Sequence, residues 1–142
     1  MTTTINKVSP SYKKVVQGLP KVVSCRKPYF NTEYGIPSVK VFDSSSPEYD
    51  SRYVYIGKWS YQIQVKSKWN NPFTIGKDGS RQQVVDKFRT YILNQLNLLA
   101  AIIPGLTGKY LCCWCAPELC HGNVLQELWQ QQKHYNIIKE EI

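Results

Sequence analysis

The sequence predicts an α/β fold: a Rossmann-like three-layer domain with a small, mostly parallel sheet and an irregular N-terminal arm. Three observations support this expectation. Residues 53–56 and 109–115 are largely apolar runs of strand length. Residues 80–94, between these runs, carry apolar side chains at helical spacing. A strand, a helix and a strand in this order form the right-handed crossover that joins parallel neighbours.

Residues 1–52 form the predicted N-terminal arm, because Pro, Gly and Ser residues interrupt them repeatedly. Two short β-prone stretches, residues 21–24 and 38–42, lie between these breakers. We therefore expect one or two strands that pack on the edge of a core formed by residues 53–135, followed by a tail of residues 136–142. A chain of 142 residues with 42% hydrophobic content has the size and composition of one domain.

The first core strand, residues 53–56, ends at Gly57 and feeds a loop. Residues 59–65 alternate in period two, as in an inserted hairpin strand. Pro72 prevents a helix over residues 67–73, so this segment is expected to be a loop.

The long helix that follows has Asp78 or Ser80 as its expected N-cap and runs to about residue 94. A second helical segment is expected to stop at Pro104 and Gly105. After the second strand, apolar spacing predicts a last helix over residues 123–133.

The formal net charge is +8, from 18 Lys and Arg against 10 Asp and Glu. This excess favours anionic partners such as nucleotides, with nucleic acid as an alternative. The basic residues are scattered, which is more typical of a solvated face than of a nucleic-acid groove. Residues 96–106, the longest apolar stretch, fall short of the ~20 apolar residues that span a bilayer, and the N-terminus lacks the pattern of a secretory signal. We therefore expect a cytoplasmic protein without membrane contact.

Four of the five cysteines cluster at Cys112, Cys113, Cys115 and Cys120. In a reducing compartment, this clustering indicates metal binding, a reactive thiol or a tight turn rather than a disulfide framework. A zinc site would use Cys113, Cys115, Cys120 and His121, which are standard ligand types. The one-residue gap in the first pair and the adjacency of Cys120 and His121 disfavour zinc as a cofactor.

Cys120 and His121 lie just before the last predicted helix, where the macrodipole and free amides lower the pKa of a thiol and attract anions. His121 is able to donate to a phosphate or to carry a proton near neutral pH. The predicted catalytic residues are therefore Cys120, His121 and Cys115. For Cys113, the competing interpretation is a small buried residue in a crowded strand. Gly122 shapes the turn and is also a candidate ligand contact.

The loop after the first core strand supplies the other half of the predicted site. Gly57 allows close backbone approach, and Lys58 supplies a cation for a phosphate. Trp69 and the amides beside it are able to read a base or sugar, unless the loop is rigid and Trp69 and Phe73 cap the core. Arg81 opens the long helix, either as a further anion contact or as a surface residue alone. The predicted ligand-binding residues are Gly57, Lys58, Ser67, Lys68, Trp69, Asn70, Asn71, Arg81 and Gly122.

Three sequence blocks recur together in known proteins. The blocks are Tyr55-Ile56-Gly57-Lys58, Ser67-Lys68-Trp69-Asn70-Asn71-Pro72-Phe73, and Cys113-Trp114-Cys115-Ala116-Pro117 followed by Cys120-His121-Gly122. They resemble a bacterial, phage and large-virus family known as domain of unknown function 4326, over residues 53–129. Lys58 stands where that family usually has arginine, and Asn70 stands where it usually has glycine. The resemblance implies the fold and the site, but no established reaction.

These observations predict a small phosphorylated or nucleoside-type ligand, bound between the loop at residues 57–73 and the turn at residues 115–122. If the protein is an enzyme, transfer or hydrolysis on a nucleotide or nucleoside fits best. Cys120 or Cys115 would then be the nucleophile and His121 the acid or base. The alternatives are a non-catalytic zinc-stabilised module that binds nucleic acid, and a structural or interaction protein that retains the fold.

Overall fold

The computed structural model describes residues 17–141 and shows an α/β fold built on one three-stranded parallel sheet. Strand β1 is Lys21–Ser24, β2 is Tyr53–Tyr55 and β3 is Tyr110–Cys113. The spatial order is β1-β3-β2, so β3 lies in the centre, and its Leu111 pairs with residues of both neighbours. The expected parallel sheet is confirmed, and it takes in a strand from the segment assigned to the N-terminal arm.

Alternate residues of the strands face two different apolar clusters. On one face, Leu111 and Cys113 pack with side chains from all three α-helices. On the other face, Cys112 packs with side chains that include Ile36 and Ile63, and none of the buried members of that cluster belongs to an α-helix. Among residues 17–141, the α-helices therefore cover only one face of the sheet, and the expected helical third layer is replaced by irregular chain.

Helix α1, Arg81–Leu93, begins at Ser80 rather than at Asp78. The Oγ atom of Ser80 accepts a hydrogen bond from the Gln83 amide at 3.2 Å, and Gln83 Oε1 accepts one from the Ser80 amide at 2.8 Å. This reciprocal pair is a capping box, which satisfies backbone donors that a helix start leaves free. It fixes the start of α1 beside the carboxyl edge of the sheet.

Helix α2, Leu96–Leu106, continues past Pro104, so the expectation that Pro104 stops this helix is wrong. Proline removes one backbone donor from the helix. The loss is tolerated here because the next turn buries Leu106 completely in the core.

Helix α3 runs from His121 to Glu141. It begins two residues before the expected start and ends eight residues after the expected end. Residues 136–141 are therefore helical and do not form a separate tail. Buried Ile137 extends the apolar side of the helix beyond Trp129, and burial of such a side chain stabilises another turn.

Several other expectations are corrected in detail. The stretch at residues 38–42 is a short 3-10 helix, Val39–Phe42, because the Ser38 side chain caps the Lys40 amide instead of leaving it to a strand partner. Residues 59–65 form no strand; Ser60 and Ile63 instead bond to each other in a turn. Residues 1–16 of the predicted arm lie outside the described residues. Within residues 17–141, no helix combines the length and apolar content needed to cross a membrane.

Candidate functional site

A cavity of about 290 Å³ lies at the carboxyl ends of β2 and β3, beside the first turns of α1 and α3. The chain that follows each strand contributes to its wall, so the two loops that leave this edge converge as the sequence suggested. Eight predicted site residues line it: Gly57, Lys58, Asn71, Arg81, Cys113, Cys115, Cys120 and His121. The rest of the described wall is Phe73, Thr74, Ile75, Val84, Val85, Trp114 and Leu119.

Two cysteines at the cavity wall are in direct contact. The Sγ atoms of Cys113, at the end of β3, and Cys120, just before α3, are 3.0 Å apart, and both side chains are buried free thiols. The amide of Gly122 donates to Cys120 Sγ at 3.3 Å. The hydrogen bond from Cys113 and the backbone amides lower the pKa of the Cys120 thiol. The same contact, together with burial, holds the pKa of Cys113 well above its ordinary value.

The backbone of Cys120 is fixed by Asn123. The Cys120 amide donates to Asn123 Oδ1 at 2.9 Å, and the Asn123 amide donates to the Cys120 carbonyl at 3.0 Å. Cys120 therefore occupies the N-cap position of α3, with its sulfur among the free amides of the first turn. This placement supports a thiolate electrostatically, as the position at a helix start predicted.

His121 is buried and its ring is used by the fold. Its Nε2 donates to the Ile56 carbonyl at 2.7 Å, and its ring meets the Phe88 ring edge-on at a centroid distance of 4.9 Å. Burial, with the nearby Lys58 charge, lowers the pKa of His121 to about 4. The ring is thus neutral at neutral pH, and it ties the start of α3 to the end of β2.

Lys58 places its ammonium group at the cavity, where no carboxylate of the described residues pairs with it. Its Nζ donates to the carbonyl of Asn71 and, at 3.3 Å, to that of Phe73. Burial lowers the pKa of Lys58. In the part of the chain that the structure describes, Lys58 forms no ion pair. The carbonyl dipoles offset part of its charge, and the remainder is available to an anion.

Arg81 closes the turn that carries the cysteines. It donates to the Leu119 carbonyl at 3.1 Å and pairs with the Glu118 carboxylate, also at 3.1 Å. A hydrogen bond with Cys115 is the main cause that raises the pKa of Arg81. Because Glu118 already neutralises Arg81, Lys58 is the stronger attraction for a ligand anion.

Four predicted ligand-binding residues of the loop at residues 67–73 do not line the cavity: Ser67, Lys68, Trp69 and Asn70. Trp69 is 4% exposed and packs in the core, as the rigid-loop alternative supposed. The Ser67 hydroxyl accepts from the Trp69 amide at 3.1 Å, and the Asn70 side chain donates to the Ser67 carbonyl at 2.6 Å. These polar groups therefore stabilise the loop itself rather than face the site.

Asn71 and Gly122 also serve the fold. Asn71 is buried; it donates to the Val84 carbonyl at 3.1 Å and accepts from the Phe73 amide at 3.0 Å. Gly122 does not line the cavity, and a Cβ atom there would lie 2.9 Å from Ile56 Cδ1. A larger side chain at this position would crowd the contact between the start of α3 and the end of β2.

The alternative zinc ligands do not form a metal-binding cluster. Among residues 17–141, no three or more His, Cys, Asp or Glu side chains are arranged to hold a metal ion. The reason is visible at His121, whose Nε2 is directed at the Ile56 carbonyl rather than at the cysteines.

The apolar wall contains residues to which the sequence analysis gave no site role. Val84 and Val85 were identified as helix positions, and their place in the first turn of α1 is the signal that relates them to the sheet edge. Trp114 follows β3 and donates from Nε1 to the Tyr55 hydroxyl at 2.8 Å. Ile75 and Leu119 lie in irregular segments and carry no comparable signal.

Comparison with known proteins relates this cavity to a family. The model of the family described as Domain of unknown function (DUF4326) matches residues 41–131, which include every described residue of the cavity wall but not β1. "Uncharacterized protein R718" of Acanthamoeba polyphaga mimivirus is 34% identical over 96 residues, covering 62% of this chain and 70% of that protein. No solved structure matches the chain. Because the matching region spans more than half of the chain, the protein belongs to the DUF4326 family.

Proposed function

We propose that the protein binds a small phosphorylated or nucleoside-type ligand, with an anionic group beside Lys58, in the cavity at the carboxyl edge of the sheet. The observation that carries the proposal is the Lys58 ammonium group, which faces a largely apolar cavity and has no carboxylate partner among the described residues. An unpaired cation in such surroundings is stabilised by an anion that enters.

The cavity wall suits a ligand with an apolar or aromatic body. Val84, Val85 and Ile75 line one part of it, and Phe73 and Trp114 add aromatic rings. A volume of about 290 Å³ lies near the lower end of the range for small-molecule sites. The N-terminus of the 21-residue helix α3 adds a favourable field for negative charge. Since Trp69 and Asn70 do not face the cavity, any aromatic stacking would come from Phe73 or Trp114 instead.

The position of the cavity also supports a Rossmann-like relationship. Open parallel α/β sheets bind ligands beyond the carboxyl ends of their strands. Here β2 and β3 are parallel neighbours, and the α1 and α2 helices lie between them in the chain. We infer a reduced Rossmann-like arrangement in which helices cover one face of the sheet.

The binding proposal is tested by native mass spectrometry of freshly purified protein, followed by thermal shifts with a panel of nucleotides, nucleosides and sugar phosphates. A ligand at 100 times its Kd stabilises the folded state by about 2.7 kcal/mol. We expect Lys58→Met to weaken binding of the best anion at least about tenfold, or about 1.4 kcal/mol. Lys68→Met is the matched control, because Lys68 belongs to the neighbouring loop but does not line the cavity.

A second variant tests the location independently of charge. Ile75 lines the cavity and is 45% exposed, so Ile75→Trp narrows the entrance without enlarging a buried side chain. Binding should fall in Ile75→Trp and in Lys58→Met while both remain folded. Equal affinity in Lys58→Met and Lys68→Met, or a panel without any thermal shift, would contradict the proposal.

A further inference from the structure

We propose that Cys113 and Cys120 are a redox-active dithiol that reduces a small organic disulfide admitted to the cavity. In this activity Cys120 attacks the disulfide and Cys113 resolves the mixed disulfide that results. The activity goes beyond anion binding, since it requires only that a small molecule reaches the cavity and not that an anion binds Lys58.

The geometry of the pair carries the proposal. The two Sγ atoms are 3.0 Å apart, both side chains line the cavity, and both are free thiols. A disulfide bond of about 2.05 Å requires them to approach by only about 1 Å. The link would join the end of β3 to the start of α3, two elements that already share the core, so the fold is able to accommodate both states.

The other three cysteines lack either a place at the cavity or a neighbouring thiol. Cys25 and Cys112 lie in the cluster on the opposite face of the sheet, away from the cavity wall. Burial raises the pKa of Cys25 to about 12 and also raises that of Cys112, so both remain thiols at neutral pH. Cys115 lines the cavity and is partly exposed, but its sulfur is not in contact with a second cysteine.

The surroundings of Cys120 assign it the attacking role. Its sulfur accepts from the Gly122 amide at the start of a long helix and contacts the Cys113 thiol, and these groups stabilise negative charge on it. Cys113 lies at the end of a buried strand, and its raised pKa keeps it protonated until the first step has occurred. Cys120 therefore acts as the attacking thiol and Cys113 as the resolving thiol.

The proposed reaction has two thiol–disulfide exchange steps. The Cys120 thiolate attacks one sulfur of the substrate R–S–S–R; a bond forms from Cys120 to that sulfur, the substrate S–S bond breaks, and RS⁻ leaves with the electron pair. Cys113 gives its proton to this RS⁻, and its thiolate then attacks Cys120 Sγ. The Cys113–Cys120 bond forms, the second RS⁻ leaves and takes the proton that Cys120 had lost to solvent. The substrate is reduced by two electrons to two RSH, and the protein dithiol is oxidised to a disulfide.

The experiment uses the reduced 142-residue chain and 2-hydroxyethyl disulfide, a small neutral probe, without oxygen. Thiol loss is followed with time, and the linked residues are identified by mass spectrometry of peptides. We expect a Cys113–Cys120 disulfide in the wild type and a stable mixed disulfide on Cys120 in Cys113→Ser. Cys120→Ser keeps an N-cap acceptor and should react at least about tenfold more slowly.

Control variants separate this activity from general thiol reactivity and from anion binding. Cys25→Ser and Cys112→Ser should react like the wild type, because neither residue lines the cavity. A normal rate in Cys120→Ser, or an adduct on Cys115 in place of the Cys113–Cys120 link, would overturn the proposal. If the wild type binds an anion but its thiols are inert, the dithiol proposal fails alone. If the wild type forms the Cys113–Cys120 disulfide but binds no member of the anion panel, the binding proposal fails alone.

Discussion

Acidification should destabilise the protein through His121. The ring is buried and neutral, with a pKa of about 4 against an ordinary value of 6.5. Between these values the unfolded chain binds a proton that the folded protein does not bind, so stability must fall as the pH falls from about 6.5 to about 4. One pKa unit corresponds to about 1.4 kcal/mol, which gives a total loss of about 3 kcal/mol from this residue.

The assay is urea unfolding at several pH values between 4 and 7.5 for the wild type and His121→Gln, with free energies of unfolding from linear extrapolation. Carboxylates titrate in both proteins, so their contribution cancels in the difference between the two curves. We expect this difference to change by about 3 kcal/mol across the window, in the direction that makes the wild type relatively less stable at pH 4. His134→Gln, at an exposed position, should follow the wild type. A difference that stays constant with pH would refute the assignment of a buried neutral ring.

Two further predictions concern stability. Gly122→Ala should destabilise the protein by about 1–3 kcal/mol, because the added Cβ would lie 2.9 Å from Ile56 Cδ1. Gly105→Ala is the control: its Cβ would meet only an ordinary contact at 3.7 Å, so this change should be neutral or stabilising. Thermal unfolding of the two variants tests this difference. Ser80→Ala should cost about 1 kcal/mol by removing the side-chain half of the α1 capping box, and unchanged urea unfolding would contradict that contribution.

Local patterns in the sequence were sufficient for most elements of the fold. Residues 21–24 formed the predicted strand, and the apolar spacing from Val84 to Ile92 placed α1 within one turn. The extent of α2 and α3 was missed because it depends on tertiary burial. Leu106 packs in the core with side chains distant in sequence, and Ile137 is also buried. Burial outweighs a proline in the first case and a polar segment in the second.

The alternation at residues 59–65 shows a different limit. Its period would place Tyr61 and Ile63 on the same face of a strand, yet Ile63 is buried while Tyr61 is 86% exposed. Period alone does not supply a strand partner, and the segment bonds to itself in a turn. In the same way, the irregular cover of one sheet face follows from long-range packing that no local pattern encodes.

For the candidate site, the sequence could predict which segments meet but not which side chains face the cavity. Parallel strands deliver their following loops to one edge, so the approach of Lys58 to Cys120 follows from topology. Side-chain direction depends on contacts with the rest of the fold. The Trp69 ring packs in the core, and the Asn71 side-chain amide donates a hydrogen bond to the Val84 carbonyl. Residue type alone predicted that both side chains contact a ligand.

The adjacent residues Cys120, His121 and Gly122 divide their tasks, and that division explains why they occur together. Gly122 permits close approach of α3 to Ile56, and His121 fixes that approach with a hydrogen bond from a neutral buried ring. With α3 held in this way, the sulfur at its N-cap comes within 3.0 Å of Cys113. A histidine that transferred a proton through Nε2 would have to release the Ile56 carbonyl, which holds the start of α3. The geometry therefore favours a positioning role for His121, and the proposed dithiol chemistry requires only Cys120 and Cys113.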